Sequence, residues 1–505
     1  MSLRAQAVKN VSATWVGLAV QGVVSFLLAP FILDRLGDVA FSIWILIFSL
    51  TGYFGLLDLG IRSSIVRYTA QLVANDDRLQ LATYLSTSLA FYGVIALLVL
   101  CLTCIGDLYL PLMFRIPAGL LTPARVLFLL SGVGVALTFP LSVFTGALEG
   151  LQKFAWLQMS HVGITLLRAA LIVLAMRNGG GLLTIGAITI GLNLVGYIVF
   201  AGLAIHALLV PIRLKMVDLA AFRKMANYGL FASAILAAEK LRFQTDAMVI
   251  GAFLPAAAIT MFAIGSKLVE YASYPVKSMA QIFTPIASEF HAKDDVAKLQ
   301  MTLVAGNRAC ALIVFPICVS LVMLGRPIIA AWVGSRYTGA YAILILLLIP
   351  RTLYLAQSTS TKILLGMGQH RTLASVLLLE GFANLLLSLV LVRKLGVIGV
   401  ALGTAIPLLL TSVVFLPRHL CNILKIPLSA FVRRAYGLPF ALCIPLAAAM
   451  WFTSHQITSV GYVGIIVQLG IGGLVYCAML AVTVWAQSQT RPRSWRAFSQ
   501  LLEPR

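Results

Sequence analysis

Ionisable side chains are concentrated in one strongly apolar stretch, residues 239–275 (EKLRFQTDAMVIGAFLPAAAITMFAIGSKLVEYASYP). A charged group at membrane depth costs about 2.5–3.5 kcal/mol on the insertion scale, so such groups persist when they pair with one another or line a wet cavity. The stretch is predicted to form two helices joined by a turn at Pro255, which carry Glu239, Lys240, Arg242, Asp246, Lys267 and Glu270. A cavity lined by these bases favours an anionic passenger.

The spacing of the charges indicates which of them share a helix face. Glu239, Arg242 and Asp246 stand at i, i+3 and i+7, on one face, whereas Lys240 is turned away by about 100°. This pattern suits a cationic cavity lining held by internal carboxylates, or local ion pairs that offset one another. Apart from Asp58 and Arg177, which lie at helix ends, the predicted spans contain eight basic and four acidic residues, so pairing cannot neutralise every base, and the cavity is favoured.

Other polar groups also lie inside apolar runs. Arg168 and Arg351 can bind a phosphate with two parallel hydrogen bonds, a geometry that lysine does not offer. Glu380, Asn384 and Ser388 form a polar stripe at i, i+4 and i+8. These residues are second-rank candidates for the same cavity.

Asp58, in the run GLLDLGIRSSIVRYTA, is followed by Arg62 at i+4. A pair at this spacing on a helix is either a structural ion pair or the latch of a gate, and spacing alone does not decide between them.

Soluble catalytic chemistry is absent from the sequence. There is no P-loop and no combination of nucleophile, histidine and carboxylate. Cys101-x-x-Cys104 has redox or metal-ligand spacing, but no second pair or histidine cluster accompanies it. The seven cysteines fall in or beside apolar segments, where we interpret them as small packing residues. We therefore expect no enzyme activity, no cofactor and no metal, and any transport to be passive or driven by an ion or substrate gradient.

Composition places the chain in a membrane. Of its 505 residues 61% are hydrophobic and 10% charged, with a mean hydropathy of +1.00, whereas soluble domains contain about 25% charged residues. The net charge of +21 arises from bases in loops between apolar runs, which argues against nucleic acid as a partner.

About 20 apolar residues are needed to cross a bilayer. On this basis the chain is predicted to be an all-α polytopic membrane protein of about 14 transmembrane helices. The predicted helices cover 11–33, 39–60, 83–106, 124–148, 155–177, 182–208, 227–251, 256–279, 302–324, 338–360, 372–392, 396–417, 435–454 and 461–486. The first run is too long for a signal-peptide core and is interpreted as a retained span.

Basic residues are distributed unevenly between the two sides. One set of connections holds 22 and the opposite set 7. The richer set includes both termini, with Arg4, Lys9, Arg491, Arg493, Arg496 and Arg505. Because the richer side is cytoplasmic, both termini are predicted to lie in the cytoplasm.

An internal repeat relates the two halves. Leu36 aligns with Leu254 at an offset of 218 residues, and at the same offset Asp76-Asp77 aligns with Asp294-Asp295. In addition, LEGLQKF (148–154) resembles LLGMGQH (364–370), and IGAI (185–188) resembles IGVA (398–401).

Both halves start on the same side, so the repeat predicts two six-helix lobes related by a pseudo-two-fold axis along the membrane normal, plus two C-terminal helices. The predicted segments are 1–209 (helices 1–6), 210–226 (cytoplasmic linker), 227–417 (helices 7–12) and 418–505 (helices 13–14 and a basic tail). A binding site is expected between the lobes, near the midplane.

Four runs resemble a known family: FGLLDLGIRSSIVRYTAQ (54–71), QTDAMVIGAFLPAAAITMFAIGSKL (244–268), TPIASEF (284–290) and LGVIGVALGTA (395–405). Together they are similar to the polysaccharide transporter family, the Wzx-type flippases of the multidrug/oligosaccharidyl-lipid/polysaccharide superfamily. The resemblance implies two lobes around a central cavity with lateral portals near helices 1, 2, 7 and 8. It also implies a multi-pass protein of the bacterial inner membrane.

The same resemblance implies a substrate, undecaprenyl-pyrophosphate-linked oligosaccharide, carried from the cytoplasmic to the periplasmic leaflet by rocking of the lobes. Lys240, Arg242 and Lys267 would then bind the pyrophosphate, with Arg168 and Arg351 in support. The acids Asp246, Glu270 and Glu380 would orient these bases or carry a coupling proton. The expected partners are the lipid-linked oligosaccharide, the bilayer and, in a synthesis complex, a glycan polymerase.

Three alternatives remain open. A lipid II flippase also needs a cationic cavity and 14 helices. A cation-coupled multidrug antiporter of the same superfamily would favour unpaired carboxylates over bases. A non-transporting scaffold for glycan synthesis has no need of charges in the middle of its spans.

Overall fold

The computed structural model describes residues 3–208, 210–456 and 461–490, and regular secondary structure in these ranges is helical. The predicted tail with Arg491, Arg493, Arg496 and Arg505 lies outside the described residues, as do the side chains of Arg4 and Lys9. The α-helices are α1 (Leu3–Gly52), α2 (Ile61–Ala74), α3 (Arg78–Met113), α4 (Ala118–Gly150), α5 (Phe154–Arg177), α6 (Leu182–Leu208), α7 (Leu219–Phe243), α8 (Thr245–Phe253), α9 (Ala257–Ala280), α10 (Phe283–Ala292), α11 (Val296–Val333), α12 (Ala340–Ala356), α13 (Ser358–Gly366), α14 (His370–Leu409), α15 (Leu416–Ile423), α16 (Leu428–Gln456) and α17 (Tyr462–Thr490).

Within the described ranges, nine helices are long and apolar enough to cross a membrane, and a tenth span is formed if α12 and α13, bent by 44°, are taken together. The prediction of an all-α polytopic membrane protein is confirmed. Two of the nine each contain two of the predicted spans, which meet at a kink instead of a loop: Trp15–Asp58 contains the first and second, and His370–Ile423 the eleventh and twelfth.

Glycine makes both kinks possible. Gly37 (φ 74°, ψ 170°) interrupts α1 and Gly396 (φ 58°, ψ −136°) interrupts α14, each at a predicted boundary between spans. Positive φ carries little steric penalty for glycine. The chain therefore turns sharply at these points without a loop.

The repeat is visible in the backbone. Asp76 (φ 52°) and Asp294 (φ 51°) adopt the same left-handed conformation. The following residues, Asp77 and Asp295, each cap the next helix by accepting a hydrogen bond from the backbone N–H three positions later, at 2.9 and 3.1 Å. Such caps satisfy donors that the first helical turn leaves free. The repeated sequence thus forms the same turn and cap twice.

The contact between a short helix and its neighbour is also repeated. A Cβ on Gly150 would lie 2.7 Å from the carbonyl oxygen of Val66 and from Cβ of Thr69. A Cβ on Gly366 would lie 2.8 Å from the carbonyl oxygen of Thr284 and 2.7 Å from Cβ of Ala287. These two residues stand 218 positions after Val66 and Thr69. Each glycine permits a close approach of two helices that a side chain would prevent.

We expect Gly150→Ala and Gly366→Ala to destabilise the protein by about 1–3 kcal/mol each, because an added methyl group in a tight helix contact forces the backbones apart. The matched control is Gly191→Ala, where nothing lies within 4 Å of the new Cβ. Thermal melting in detergent measures the effect. Equal melting temperatures for all three variants and the wild type would contradict the proposed contact.

One pair of equivalent positions is in direct contact. The hydroxyls of Ser42 and Thr260, 218 residues apart, lie 2.7 Å from each other. Both are within hydrogen-bond distance of the Asp38 carbonyl oxygen, at 2.8 and 2.9 Å. Residues related by a two-fold axis meet only near that axis, so this contact supports the predicted pseudo-two-fold relation of the repeats.

The chain divides into two compact units, Met1–Ser266 with Gln369–Pro407 and Lys267–Gly368 with Leu408–Arg505. The core of the first unit is built from α2, α3, α4, α5, α6 and α7. A core of the second is built from α9, α11 and α12. The segment boundaries predicted from the sequence stay a prediction.

Candidate functional site

The centre of the first unit contains a buried ion pair between α7 and α14. The Arg242 Nε lies 2.5 Å from the Glu380 Oε1, and the two side chains are only 2% and 3% exposed. Guanidinium and carboxylate at this depth are stable only as a pair, because each ion alone carries a large desolvation penalty. The sequence predicted both residues for the site but did not predict that they are partners.

A hydrogen-bond network extends from this pair along the polar stripe of α14. Asn384 donates through Nδ2 to the Arg242 carbonyl oxygen at 3.0 Å. Its Oδ1 accepts from the Ser388 hydroxyl at 3.0 Å and from the Thr404 hydroxyl at 3.4 Å. Thr404 is also 3.0 Å from Asp246 Oδ1. The network therefore connects Arg242 with Asp246, two residues that were predicted for the site. Thr404, which completes the connection, was not predicted from the sequence.

The predicted seventh helix is broken beside this network. Gln244 (φ −118°, ψ −14°) ends α7, and α8 begins at Thr245. The prediction of one continuous face for Glu239, Arg242 and Asp246 is wrong: Arg242 and Asp246, on either side of the break, are buried, whereas Glu239, in α7 with Arg242, is exposed.

Lys240 differs from the other predicted bases of the first unit. It is half-buried, and its ammonium makes no ion pair or hydrogen bond with the described residues. Its backbone is fixed by Tyr53, whose hydroxyl donates to the Lys240 carbonyl oxygen at 3.2 Å and contacts the Thr245 hydroxyl. The position of the residue is therefore set, while its charge is left for another group.

Arg168 lies in α5 of the same unit and is half-buried. Its Nη2 donates to Asn193 Oδ1 on α6 at 3.1 Å. A neutral amide leaves the positive charge uncompensated, so the residue can still attract an anion.

The remaining predicted residues belong to the second unit. The Lys267 ammonium lies 2.7 Å from Glu270 Oε2, with side chains 52% and 43% exposed. The hydroxyl of Tyr274 also donates to Glu270, at 3.2 Å. Arg351 is buried, with Nε 3.5 Å from the Ser273 hydroxyl. Glu270 is thus the counter-ion of Lys267, as Glu380 is of Arg242.

A separate pocket of about 290 Å³ lies in the first unit, at the start of α2 and the end of α4. It is lined by Asp58, Gly60, Arg62, Ser63, Val66, Glu149 and Leu236. We call it the Arg62 pocket. Of these lining residues, the sequence analysis singled out only Asp58 and Arg62.

The charges of the Arg62 pocket are paired differently from the prediction. The Arg62 Nη2 lies 2.6 Å from Glu149 Oε1. Asp58 accepts a hydrogen bond from the Tyr92 hydroxyl and, at 3.4 Å, from the Arg62 backbone N–H rather than from its guanidinium. The side chains of Asp58 and Arg62 therefore form no hydrogen bond with each other, and the ion-pair partner of Arg62 lies 87 residues away in the sequence.

Comparisons with known proteins agree with this architecture. The chain is 24% identical over 452 residues to the uncharacterized membrane protein EpsK of Bacillus subtilis (strain 168), covering 88% of this chain and 87% of EpsK. The solved structure of the lipid II flippase MurJ in an inward closed conformation has a TM-score of 0.72 at 16% identity, covering 95% of this chain and 99% of MurJ.

A multidrug resistance MATE family transporter of the MOP superfamily, in its inward-facing conformation, has a TM-score of 0.67 at 16% identity, covering 84% of this chain and 96% of that one. At these identities the two structures establish a shared fold. The sequence profile described as Polysaccharide biosynthesis protein matches residues 32–342, more than half of the chain. The chain therefore belongs to the polysaccharide biosynthesis protein family.

Proposed function

We propose that this chain is a flippase that moves a polyprenyl-diphosphate-linked oligosaccharide from the cytoplasmic to the periplasmic leaflet of the bacterial inner membrane. The product would be used for surface or exopolysaccharide synthesis, and the chain itself would perform no chemical reaction. Membership of the polysaccharide biosynthesis protein family supports a role in polysaccharide synthesis. The single structural observation that carries the proposal is the half-buried, unpaired ammonium of Lys240.

The physical reason is the charge of the diphosphate. Removing it from water is strongly unfavourable unless cationic groups replace the lost hydration. Lys240, Arg242 and Lys267 are proposed to supply this charge, with Arg168 and Arg351 in support. The carboxylates Asp246, Glu270 and Glu380 are proposed to hold the bases in place or to carry a coupling proton.

The proposed binding residues differ in whether the diphosphate must displace a counter-ion from them. Arg242 would have to leave Glu380, and Lys267 would have to leave Glu270. Lys240 has no such partner to lose, so we assign it the first contact. In alternating access, the paired bases would engage as the two lobes rearrange.

A lipid II flippase is the second candidate, favoured by the similarity of fold to MurJ over 95% of this chain. It would use the same diphosphate chemistry, but its loss would stop cell-wall growth rather than remove one surface glycan. A drug antiporter with the MATE fold is less favoured, because bases outnumber acids in the predicted spans.

Deletion of the chain is expected to remove one surface polysaccharide and to accumulate its lipid-linked precursor. Wild-type protein should restore export, whereas Lys240→Gln should reduce the export rate about tenfold or more at equal protein level, because a charge-assisted contact contributes about 1.5–3 kcal/mol. Glycan composition and precursor level are the measurements.

The matched control is Lys293→Gln, an exposed lysine whose ion pair with Glu289, 2.5 Å long, lies outside the candidate spans. It should export normally. An unchanged glycan profile in the deletion strain would overturn the proposed function, and drug accumulation would then be measured. Full rescue by Lys240→Gln would instead remove Lys240 from the site.

A further inference from the structure

The repeat allows the Arg62 pocket to be compared with the equivalent place in the second half. Asp58, Arg62 and Tyr92 have equivalents 218 residues later, which are Val276, Ala280 and Cys310. These three are 0–1% exposed and belong to one apolar cluster. The equivalent sequence positions are therefore apolar and buried in the second half, where Val276 and Ala280 lie at the end of α9, and polar in the first half, where Asp58 ends a 3-10 turn.

Glu149 follows the same pattern. It precedes Gly150, which is equivalent to Gly366 in sequence and in its helix contact, so the residue equivalent to Glu149 is Leu365. The duplicated scaffold thus folds without a carboxylate at this point. Asp58, Arg62 and Glu149 are partly buried, which costs desolvation energy that the architecture does not require, so we attribute these groups to a ligand.

The pocket offers both hydrogen-bond donors and acceptors. Asp58 and Glu149 provide carboxylate acceptors, while Arg62 and Ser63 provide donors. A diphosphate only accepts hydrogen bonds, and two carboxylates would repel its charge. A neutral sugar ring has hydroxyls that both donate and accept, and its C–H faces suit the apolar side chains of the wall, Val66 and Leu236.

Size and access are consistent with one ring. The volume of about 290 Å³ is at the lower end of small-molecule sites, which span about 300–1,000 Å³. The side chains of Arg62 and Glu149 remain 41% and 25% exposed despite their ion pair, so a ligand can reach them. The predicted topology places Arg62 on the cytoplasmic side, where a lipid-linked precursor would be loaded.

The pocket is also close to the proposed diphosphate contact. Leu236, in its wall, and Lys240 stand at i and i+4 on α7, and side chains so spaced are neighbours on one face, with Cβ atoms about 5–6 Å apart. In a polyprenyl-linked oligosaccharide the diphosphate is bonded directly to the first sugar. One substrate can therefore place its diphosphate at Lys240 and its adjacent ring in the pocket.

We propose that the Arg62 pocket is the subsite for the sugar bonded to the diphosphate, and that Asp58, Arg62 and Glu149 determine which sugar is accepted. This proposal rests on the proposed function. Hydroxyls of the ring would accept hydrogen bonds from the Arg62 guanidinium and donate hydrogen bonds to the carboxylates of Asp58 and Glu149. The charged pair Arg62–Glu149 keeps both groups oriented while the pocket is empty.

Cysteine protection tests the subsite in the full-length protein in nanodiscs. The variant Ser63→Cys is labelled with a maleimide, and the labelling rate is read peptide by peptide by mass spectrometry, with Lys293→Cys, an exposed position outside the candidate spans, as the reference. The probes are the oligosaccharide released by mild acid from the precursor that accumulates in the deletion strain, and inorganic pyrophosphate. The control is Gln281→Cys, the position equivalent to Ser63.

We expect the oligosaccharide, at ten times its Kd, to slow labelling of Ser63→Cys about tenfold, and pyrophosphate to leave it unchanged. Gln281→Cys should show no protection from either probe. Adding Glu149→Gln, which keeps the side-chain size, should weaken the affinity about tenfold, because one charge-assisted hydrogen bond is lost. The same oligosaccharide concentration should then slow labelling only about twofold.

Protection by pyrophosphate but not by the oligosaccharide would overturn the sugar subsite in favour of an anion subsite. Protection by neither, in a chain whose deletion still abolishes export, would overturn the subsite and leave the proposed function standing. If no lipid-linked precursor accumulates on deletion, the proposed function fails, and the subsite fails with it.

Discussion

The Arg242→Ala variant is expected to unfold at a lower temperature than the wild type and to reach a lower level in the membrane. The change would leave the Glu380 carboxylate buried, at 3% exposure, without its counter-ion. Breaking a buried ion pair from one side destabilises a protein by about 3–5 kcal/mol. Loss of export in this variant would therefore report a loss of folded protein before any loss of ligand binding.

The double variant Arg242→Met/Glu380→Leu separates the two effects. Replacement of both ions by apolar side chains of similar size is often neutral or stabilising, so we expect most of the lost stability to return. Export in the double variant then tests the proposed diphosphate contact: it should stay low if the charge of Arg242 binds substrate. Thermal melting in detergent and glycan export are the two measurements.

Two results would contradict this account. A melting temperature for Arg242→Ala equal to that of the wild type would show that Glu380 finds another partner or becomes neutral. A stable double variant that exports normally would remove Arg242 and Glu380 from the proposed site and leave them a structural role between α7 and α14.

Features that repeat along a single helix could be predicted from the sequence. Apolar runs predicted the membrane-spanning helices, and the aligned Asp-Asp pairs indicated an internal repeat, in agreement with the shared left-handed backbone of Asp76 and Asp294. The polar stripe that begins at Glu380 was also visible, because i, i+4 spacing places side chains on one face of a helix. These features depend on neighbours in sequence alone.

Pairing between helices was not readable. Arg62 binds Glu149, 87 residues away, and nothing in local spacing favours this partner over Asp58. The break at Gln244 was not predicted for a related reason. An apolar run long enough to cross the membrane does not show whether it forms one continuous helix or two. Likewise, Gly37 marks a boundary in the sequence, but only its positive φ shows that the boundary is a kink without a loop.

The largest effect on function without an effect on folding is expected when the Arg62 pocket is rebuilt with the residues of the second half. The variant combines Asp58→Val, Arg62→Ala and Glu149→Leu, the side chains at positions 276, 280 and 365. A fourth change, Tyr92→Phe, removes the hydroxyl that would otherwise lose its acceptor on Asp58. Because an equivalent apolar filling already exists in the same chain, we expect a melting temperature close to that of the wild type.

Export, in contrast, should fall to the level of the deletion strain, since an apolar pocket offers no partner for sugar hydroxyls, and desolvated hydroxyls without partners bind unfavourably. The single change Asp58→Val provides the matched comparison. It leaves the Tyr92 hydroxyl without its acceptor and should therefore melt below the fourfold variant. A fourfold variant that folds and still exports would show that the polar groups are not needed for the substrate, and the asymmetry between the two halves would then have no functional role.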